Sequence, residues 1–214
     1  MLNIKKLLLF QNLDLNYPAA HFIEKNEHLI HELINHFPLA NLITSQQDEI
    51  FTSYLPFIWG NANELIGHLD IQNPQIATLN EGEKVKLIFN GPENYISPSH
   101  FTTNELPTYN YCKVEVEGLL KPISNEALKN AIIQLTTQLE GKDAAYQLTQ
   151  NEKRLHSLVK YIFGFKIEVL EVKGRFKMSQ DKSKNHQEMA VKVLADGLKK
   201  RNANFIKQYW KQAE

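Results

Sequence analysis

Val85–Phe89 and Lys113–Gly118 place large apolar residues between polar or charged ones, the period-two signature of strands with one buried face. The stretch between them is rich in Gly, Pro, Asn, Ser, Thr and Tyr. It contains Pro92, Pro98 and Pro107, each of which removes a backbone donor and drives the preceding residue toward extended geometry. No helix can form there. The pattern predicts a long loop pinned between two strands, to be read either as a binding loop or as plain connection.

The remaining pattern places other elements on both sides of this pair. Phe22, Ile23, Leu29, Ile30, Leu33, Ile34 and Phe37 recur at near-helical spacing, predicting a helix over His21–Phe37 that Pro38 ends. Short strands are predicted over Leu39–Thr44, Phe51–Trp59 and Glu64–Leu69, with polar turns at Gln46–Glu49 and Asn61–Asn63. Asn73-Pro74 breaks the third strand, and a short helix follows over Gln75–Asn80. Ser124 reads as the N-cap of a helix reaching Leu139, stopped by Gly141. Asp143–Gln150 reads as loop or short helix, and Asn151–Tyr161 as a further helix. Phe163–Phe176 is a long last strand whose apolar phase slips at Val169 and Leu170, the mark of a bulge. Met189, Val193, Leu194 and Leu198 predict an amphipathic helix over Asn185–Lys200, followed by a further turn or two carrying Phe205, Tyr209 and Trp210. Sequential short strands with inserted helices predict a mainly β, α+β architecture built on an antiparallel barrel. Residues 1–16 stand ahead of it as an extension, with Leu7–Phe10 expected to pack on the body or on a partner subunit.

Composition narrows the function. Across 214 residues, 24 Lys and Arg balance 24 Asp and Glu, so no whole-surface field draws the chain to nucleic acid. The tail is locally basic, with Lys182, Lys184, Lys192, Lys199, Lys200, Arg201, Lys207 and Lys211 against Glu188, Asp196 and Glu214. It reads either as a nucleic-acid contact or as a solvated helix face, and it carries no helix-turn-helix or zinc-module signature. One cysteine, Cys112, excludes an internal disulfide and reads as a small buried residue at the start of a strand. No apolar run reaches the ~20 residues of a membrane span. Lys5-Lys6 followed by Leu7–Phe10 is too short for a secretory leader, so a cytoplasmic location is expected. His28, His31 and His36 sit near one another without an acidic or cysteine partner to complete a metal set, and no metal is expected. Catalytic motifs are likewise missing: there is no G-x-S-x-G elbow, H-E-x-x-H pair or Gly-rich phosphate loop.

The run Phe89–Phe101, FNGPENYISPSHF, followed by Glu105–Leu119, ELPTYNYCKVEVEGL, resembles the centre of the PaiB family of FMN-binding negative transcriptional regulators. Further matches fall in the family's order: Tyr17-Pro18 with His21-Phe22, Leu55-Pro56-Phe57, Gly67-His68 with Asn73-Pro74, Gly164–Ile167 and Lys177–Gln180. The resemblance implies a split β-barrel of the pyridoxamine-phosphate-oxidase type, antiparallel and Greek-key in connection. It also implies a homodimer with FMN between the subunits, and DNA as a partner by family analogy alone. It divides the chain into an extension (1–16), the barrel (17–182) and a helical tail (183–214) packing on the barrel or the partner.

A flavin mononucleotide asks for basic, hydroxyl and N–H groups at its phosphate, donors and acceptors at the ring edge, and a flat wall at the ring face. The resemblance points to Thr52, Ser53, His68 and Asn73 on one side. On the other it points to Tyr109, Asn110 and Tyr111 for the ring, and to Lys177, Ser179 and Gln180 reaching across a dimer interface. Departures from the family pattern fall in the same places. Ile71 stands where the family carries a basic residue, Tyr54 where it often has His, His100-Phe101 for Trp-Tyr, Tyr109 for Trp, and Asp181-Lys182 for Asn-Arg. Three functions follow: a flavin-pocket regulator without turnover, a flavin-dependent oxidoreductase on the same scaffold, or a divergent member that has lost FMN and binds another small molecule or a partner.

Overall fold

The computed structural model of the chain describes residues 17–60, 63–101, 105–141 and 143–213; within the last helix the side chains of residues 198–201, 204 and 208–213 lie outside the description. The expected packing of Leu7–Phe10 therefore concerns residues outside those described. So does part of the basic tail, Lys199, Lys200, Arg201 and Lys211.

Eight strands form one antiparallel sheet. They are β1 (Ile23–Glu24), β2 (Leu39–Gln46), β3 (Glu49–Pro56), β4 (Ile58–Trp59), β5 (Glu64–Asp70), β6 (Lys84–Ile96), β7 (Thr108–Pro122) and β8 (Ile162–Lys177). The order across the sheet is β3-β2-β6-β7-β8-β5-β4, with β1 also pairing β8. β3 comes close to β5, so the sheet curls into a barrel. The helices are α1 (Glu27–His36), α2 (Asn125–Glu140), α3 (Lys153–Leu158) and α4 (Lys184–Ala213).

The core follows from alternation. On β7 the residues Asn110, Cys112, Val114, Val116, Gly118 and Leu120 are buried, and those between them are half-buried or exposed. The inward set meets Leu87 and Phe89 from β6 and Phe165 and Ile167 from β8, all at 0% exposure. Phe57 joins them from between β3 and β4, with its ring edge-on to Phe89 and Phe165 at 6.2 and 6.0 Å.

Several predicted boundaries move. The first helix begins at Glu27, not His21, because Asn26 caps it by accepting from the His28 and Leu29 amides. Ala20–Phe22 is a 3-10 turn, and Ile23–Glu24 pairs with Arg175 and Gly174. That crossing needs Gly174, where an added Cβ would lie 2.9 Å from the Glu24 Cβ. The predicted strand Phe51–Trp59 is two strands, since the chain leaves β2 after Pro56 and joins β5 at Ile58. Phe57 turns the corner, and its amide donates to the Pro38 carbonyl at 2.9 Å.

The predicted long loop is shorter than expected. β6 continues to Ile96 through an irregularity between Asn90 and Glu93 that contains Pro92. The missing proline N–H thus falls where the ladder is already interrupted. The short helix after Asn73 is a 3-10 turn over Pro74–Thr78, and Asp143–Gln150 holds no regular element among its described residues. The tail is one helix, not two. Its first half is anchored on β6: Asn94 donates to the Val193 carbonyl at 3.0 Å, and Ala190 and Leu194 are buried.

The bulge at Val169 and Leu170 is present. Gly118 pairs with Val169 and Glu117 with Glu171, which leaves Leu170 as the extra residue. Gly118 is needed there, because a Cβ would lie 2.4 Å from the Glu168 carbonyl oxygen and 2.5 Å from Ile167. Gly118→Ala is expected to destabilise the fold by about 2 kcal/mol through forced backbone displacement. The check is the urea midpoint; an unchanged midpoint would show that the bulge relaxes freely.

Candidate functional site

The residues singled out by the sequence fall into two groups on different parts of the barrel. The first lies where β3, β2 and the Pro74–Thr78 turn meet. Asn73 caps that turn, accepting from the Gln75 amide at 2.9 Å and donating to the Ser53 hydroxyl at 2.9 Å. Behind it, buried Gln75 donates to the Leu42 carbonyl, the Thr44 hydroxyl and the Phe51 carbonyl, and Thr44 is hydrogen-bonded to Thr78. The Gln75 Oε1 atom is buried without a partner among the described residues. Ser53 and Asn73 are thus brought together, held by each other and by this network.

Thr52 points outward between Ile50 and Tyr54, which are 75% and 70% exposed. Ile71, 49% exposed, follows β5 on the same connection as Asn73. His68 goes elsewhere: it lies under α2 in a small cleft with Leu128, Ala131, Ile132 and Leu135. Burial lowers its pKa from the ordinary value, which keeps the ring neutral at pH 7.

The second group lies at the ends of β7 and β8. Asn110 is fully buried, donating to the Ser179 hydroxyl at 3.0 Å and accepting from it at 3.3 Å. Ser179 sits at φ 64, a left-handed backbone that this pairing holds in place. Gln180 folds back on its own chain, accepting from the Met178 amide at 2.6 Å and donating to the Phe176 carbonyl. Lys177 donates to the Thr108 hydroxyl at 2.7 Å. Asp181 faces Lys182, whose amine also meets Glu105 at 3.2 Å.

Tyr109 and Tyr111 point outward from the same strand. They line a shallow groove of about 320 Å³ with Ile88, Asn90, Glu93, Lys113, Glu115 and Arg175. Lys113 is paired with Glu93 at 2.6 Å, and Arg175 reaches the Tyr17 hydroxyl at 3.4 Å. This groove places two aromatic rings, two cations, two carboxylates and an amide on one face. No described contact joins it to the Ser53–Asn73 group.

Ile88, Asn90, Glu93, Lys113, Glu115 and Arg175 are the groove residues that sequence reading missed. Lys113 shares parity with Tyr109 and Tyr111, so the alternation of β7 already carried that signal. Arg175 lies opposite Lys113 only through the β7–β8 register, which no local pattern reveals. Among the described residues no group of three or more His, Cys, Asp or Glu side chains is placed to hold a metal ion, and no helix is long and apolar enough to cross a membrane. His31 stacks on Trp59 at 4.2 Å, and the His36 ring bonds the Glu32 carbonyl.

An antiparallel barrel of this connectivity, flanked by helices, is the split-barrel class of flavin-binding folds. Solved structures agree. One is the FAD and heme binding protein from Mycobacterium smegmatis, with TM-score 0.58 and 12% identity over 79% of this chain and 80% of that one. Another is the protein described as "putative 5-nitroimidazole antibiotic resistance protein" from Bacteroides thetaiotaomicron, with TM-score 0.55 and 14% identity over 71% and 84%. At these identities the likeness concerns the fold.

The family is fixed by sequence. Residues 16–171 match the family model described as "Putative FMN-binding domain", and the chain belongs to that family. The protease synthase and sporulation protein PAI 2 of Bacillus subtilis is 27% identical over 83% of this chain and 88% of its own length. The resemblance read from Phe89–Leu119 and its flanking motifs is therefore borne out.

Cys112, on the inward face of β7, is 7% exposed, and burial with the nearby Glu24 carboxylate pushes its thiol up to about 11, against a weaker opposing pull from Lys113. The native thiol is therefore inert. Iodoacetamide at pH 8 is expected to leave Cys112 unmodified in the folded protein and to alkylate it in urea. The raised folded pKa also means that native stability present below pH 9 is lost as the pH rises through about 11. Cys112→Ala should remove that part of the alkaline loss, read as the difference between the two proteins' urea midpoints from pH 8 to 11. Rapid native alkylation at pH 8 would contradict the burial.

Proposed function

We propose that the protein is a homodimeric FMN-binding regulator of the PaiB type, with the flavin seated between the tyrosine groove of one subunit and the β2–β3 face of its partner. The observation that carries this reading is the groove itself. Tyr109 and Tyr111 supply an aromatic wall, and Arg175 and Lys113 supply cations, set against the Glu93 and Glu115 carboxylates, in one depression on the outward face of the sheet. Asn110, Ser179 and Gln180 act behind it as positioning residues, fixing the strand ends and Lys177. FMN, when bound, supplies redox chemistry that no side chain of this chain can perform.

Support for a second copy comes from the opposite end of the sheet. Leu39, Ile50, Tyr54 and Ile71 are large apolar side chains left 49–75% exposed at that end. An apolar surface of this kind is characteristic of an interface. Covering it with a partner would bring Thr52 and the Ser53–Asn73 cap against the partner's groove. Family membership supports flavin as the ligand, and regulation over turnover rests on the resemblance to the PaiB regulators alone. DNA contact rests on that analogy, since the chain's net charge is zero. A gel shift whose strength does not fall with salt would count against a direct DNA role.

Two substitutions separate this reading from a lost flavin site. Tyr111→Ala is expected to weaken FMN binding about tenfold, equivalent to ~1.4 kcal/mol. Ile71→Arg, restoring a cation beside the Asn73 cap, is expected to strengthen it by a similar factor. Both are read by quenching of FMN fluorescence. If neither changes the Kd, FMN does not sit at this interface. Bleaching of bound FMN by NADH or NADPH with reoxidation in air would move the assignment to an oxidoreductase.

A further inference from the structure

The cleft between α1 and β8 encloses about 790 Å³, more than twice the tyrosine groove and within the range of about 300–1,000 Å³ usual for ligand sites. It runs along an edge of β8 that is open for a short stretch. On one side β8 is paired with β7 from Phe165 to Lys177. On the other, β5 pairs it only as far as Glu168, Asn63 bridges to Val169, and β1 pairs it only at Gly174 and Arg175. Among the described residues, no strand lies beside Leu170–Lys173.

The gap has a local cause. β1 ends at Glu24, and Asn26 then caps α1 and carries the chain out of the row. Ile30 and His31 of α1 line the cleft across from the β8 edge. Its floor is the open flank of the core, where Trp59, Val169 and Val172 pack against the buried cluster. The Trp59 Nε1–H is buried without an acceptor among the described residues, so this wall is incomplete in its hydrogen bonds.

The complement of such an edge is another extended backbone, which meets its N–H and C=O groups and sends alternate side chains to the two faces. β1 and β5 both run antiparallel to β8. A segment in the same row and direction lies opposite Lys173, Val172, Glu171 and Leu170 in turn. Glu24 at one end and Asn63 at the other limit it to about four residues, or about 13 Å. Its second side chain shares a face with Val172, over the Trp59 floor, where an apolar group fits. Its first and third share a face with Lys173 and Glu171, which are exposed and paired with each other at 2.8 Å, where polar groups fit.

We propose that this cleft binds a short extended peptide, about four residues long with an apolar second residue, which adds as a strand to the Leu170–Lys173 edge. The cleft shares Arg175 and Glu115 with the tyrosine groove, but the strand edge belongs to the cleft alone, and the inference stands whether or not flavin binds.

Amide hydrogen exchange on the full chain without flavin tests it, with the blocked peptide Ac-Thr-Val-Thr-Thr-NH2 as the probe. In the free protein, the amides of Leu170–Lys173 that face away from β7 are expected to exchange within about tenfold of the unstructured rate. At about 5 mM peptide they should slow at least about fivefold, a Kd of about 1 mM or tighter, while β6–β7 amides are unchanged. Aspartate in place of the probe's valine should abolish the protection. Two N-methylated probes, one methylated on its first and third residues and the other on its second and fourth, should differ, because only one parity of peptide amides faces the edge. Edge amides already protected in the free protein would overturn the proposal. So would an edge left unprotected by the probe, protection spread evenly over the sheet, equal protection by the aspartate probe, or equal effects of the two methylated ones.

Discussion

The pairing of β7 with β8 is the constraint on which the rest depends. These two strands run together from Tyr111 opposite Lys177 to Pro122 opposite Phe165. Every other strand joins the sheet through one of them: β6, β5 and β1 directly, β2 and β4 at one remove, and β3 at two. Their inward side chains make the core with Phe57 and Phe89, and their outward side chains make the tyrosine groove. The same ladder therefore sets stability and site geometry. Side chains alternate with period two, so a register slip of one residue would send Tyr111 and Lys113 inward and Cys112 and Val114 out. The bulge at Leu170, with Gly118 opposite, resets that phase once and only where the chain can approach closely enough.

Polar side chains hold the ends of this ladder rather than its middle. Asn110 and Ser179 satisfy each other in a dry environment, and Asn73, Ser53 and Gln75 do the same beneath the β2–β3 face. Each such group would cost about 1–3 kcal/mol if left unpaired. Several residues that resemble flavin contacts in sequence are thus already committed to the scaffold. The groups turned outward, toward where a ligand would lie, are Thr52, Tyr109, Tyr111 and Arg175. The resemblance to the family covers both kinds of residue and does not separate them.

Much of the architecture was legible because it is local. Alternation found β2, β5 and β7, Ser124 and Gly141 bracketed α2, and the slip of apolar phase at Val169 and Leu170 located the bulge. What escaped depends on contacts distant in sequence. Ile23–Glu24 looks helical by spacing, yet it becomes a strand because Gly174 leaves room beside it. Pro92 argued for a loop, yet β6 passes through it because the irregularity after Asn90 needs no donor there. The candidate groove was partly legible: Tyr109 and Tyr111 line it, but Arg175 enters only through register, and His68 is turned under α2 by a packing that its neighbours in sequence do not reveal.

The central claim is that this barrel keeps a working flavin site despite Ile71 standing where the family resemblance implies a cation. The most direct measurement is the visible absorption spectrum of the purified protein, taken before and after adding FMN and desalting. A retained, structured flavin band that is shifted from that of free FMN is the predicted result, and it would come with one flavin per subunit. A protein that emerges colourless from desalting, with its thermal midpoint unmoved by FMN, would contradict the account.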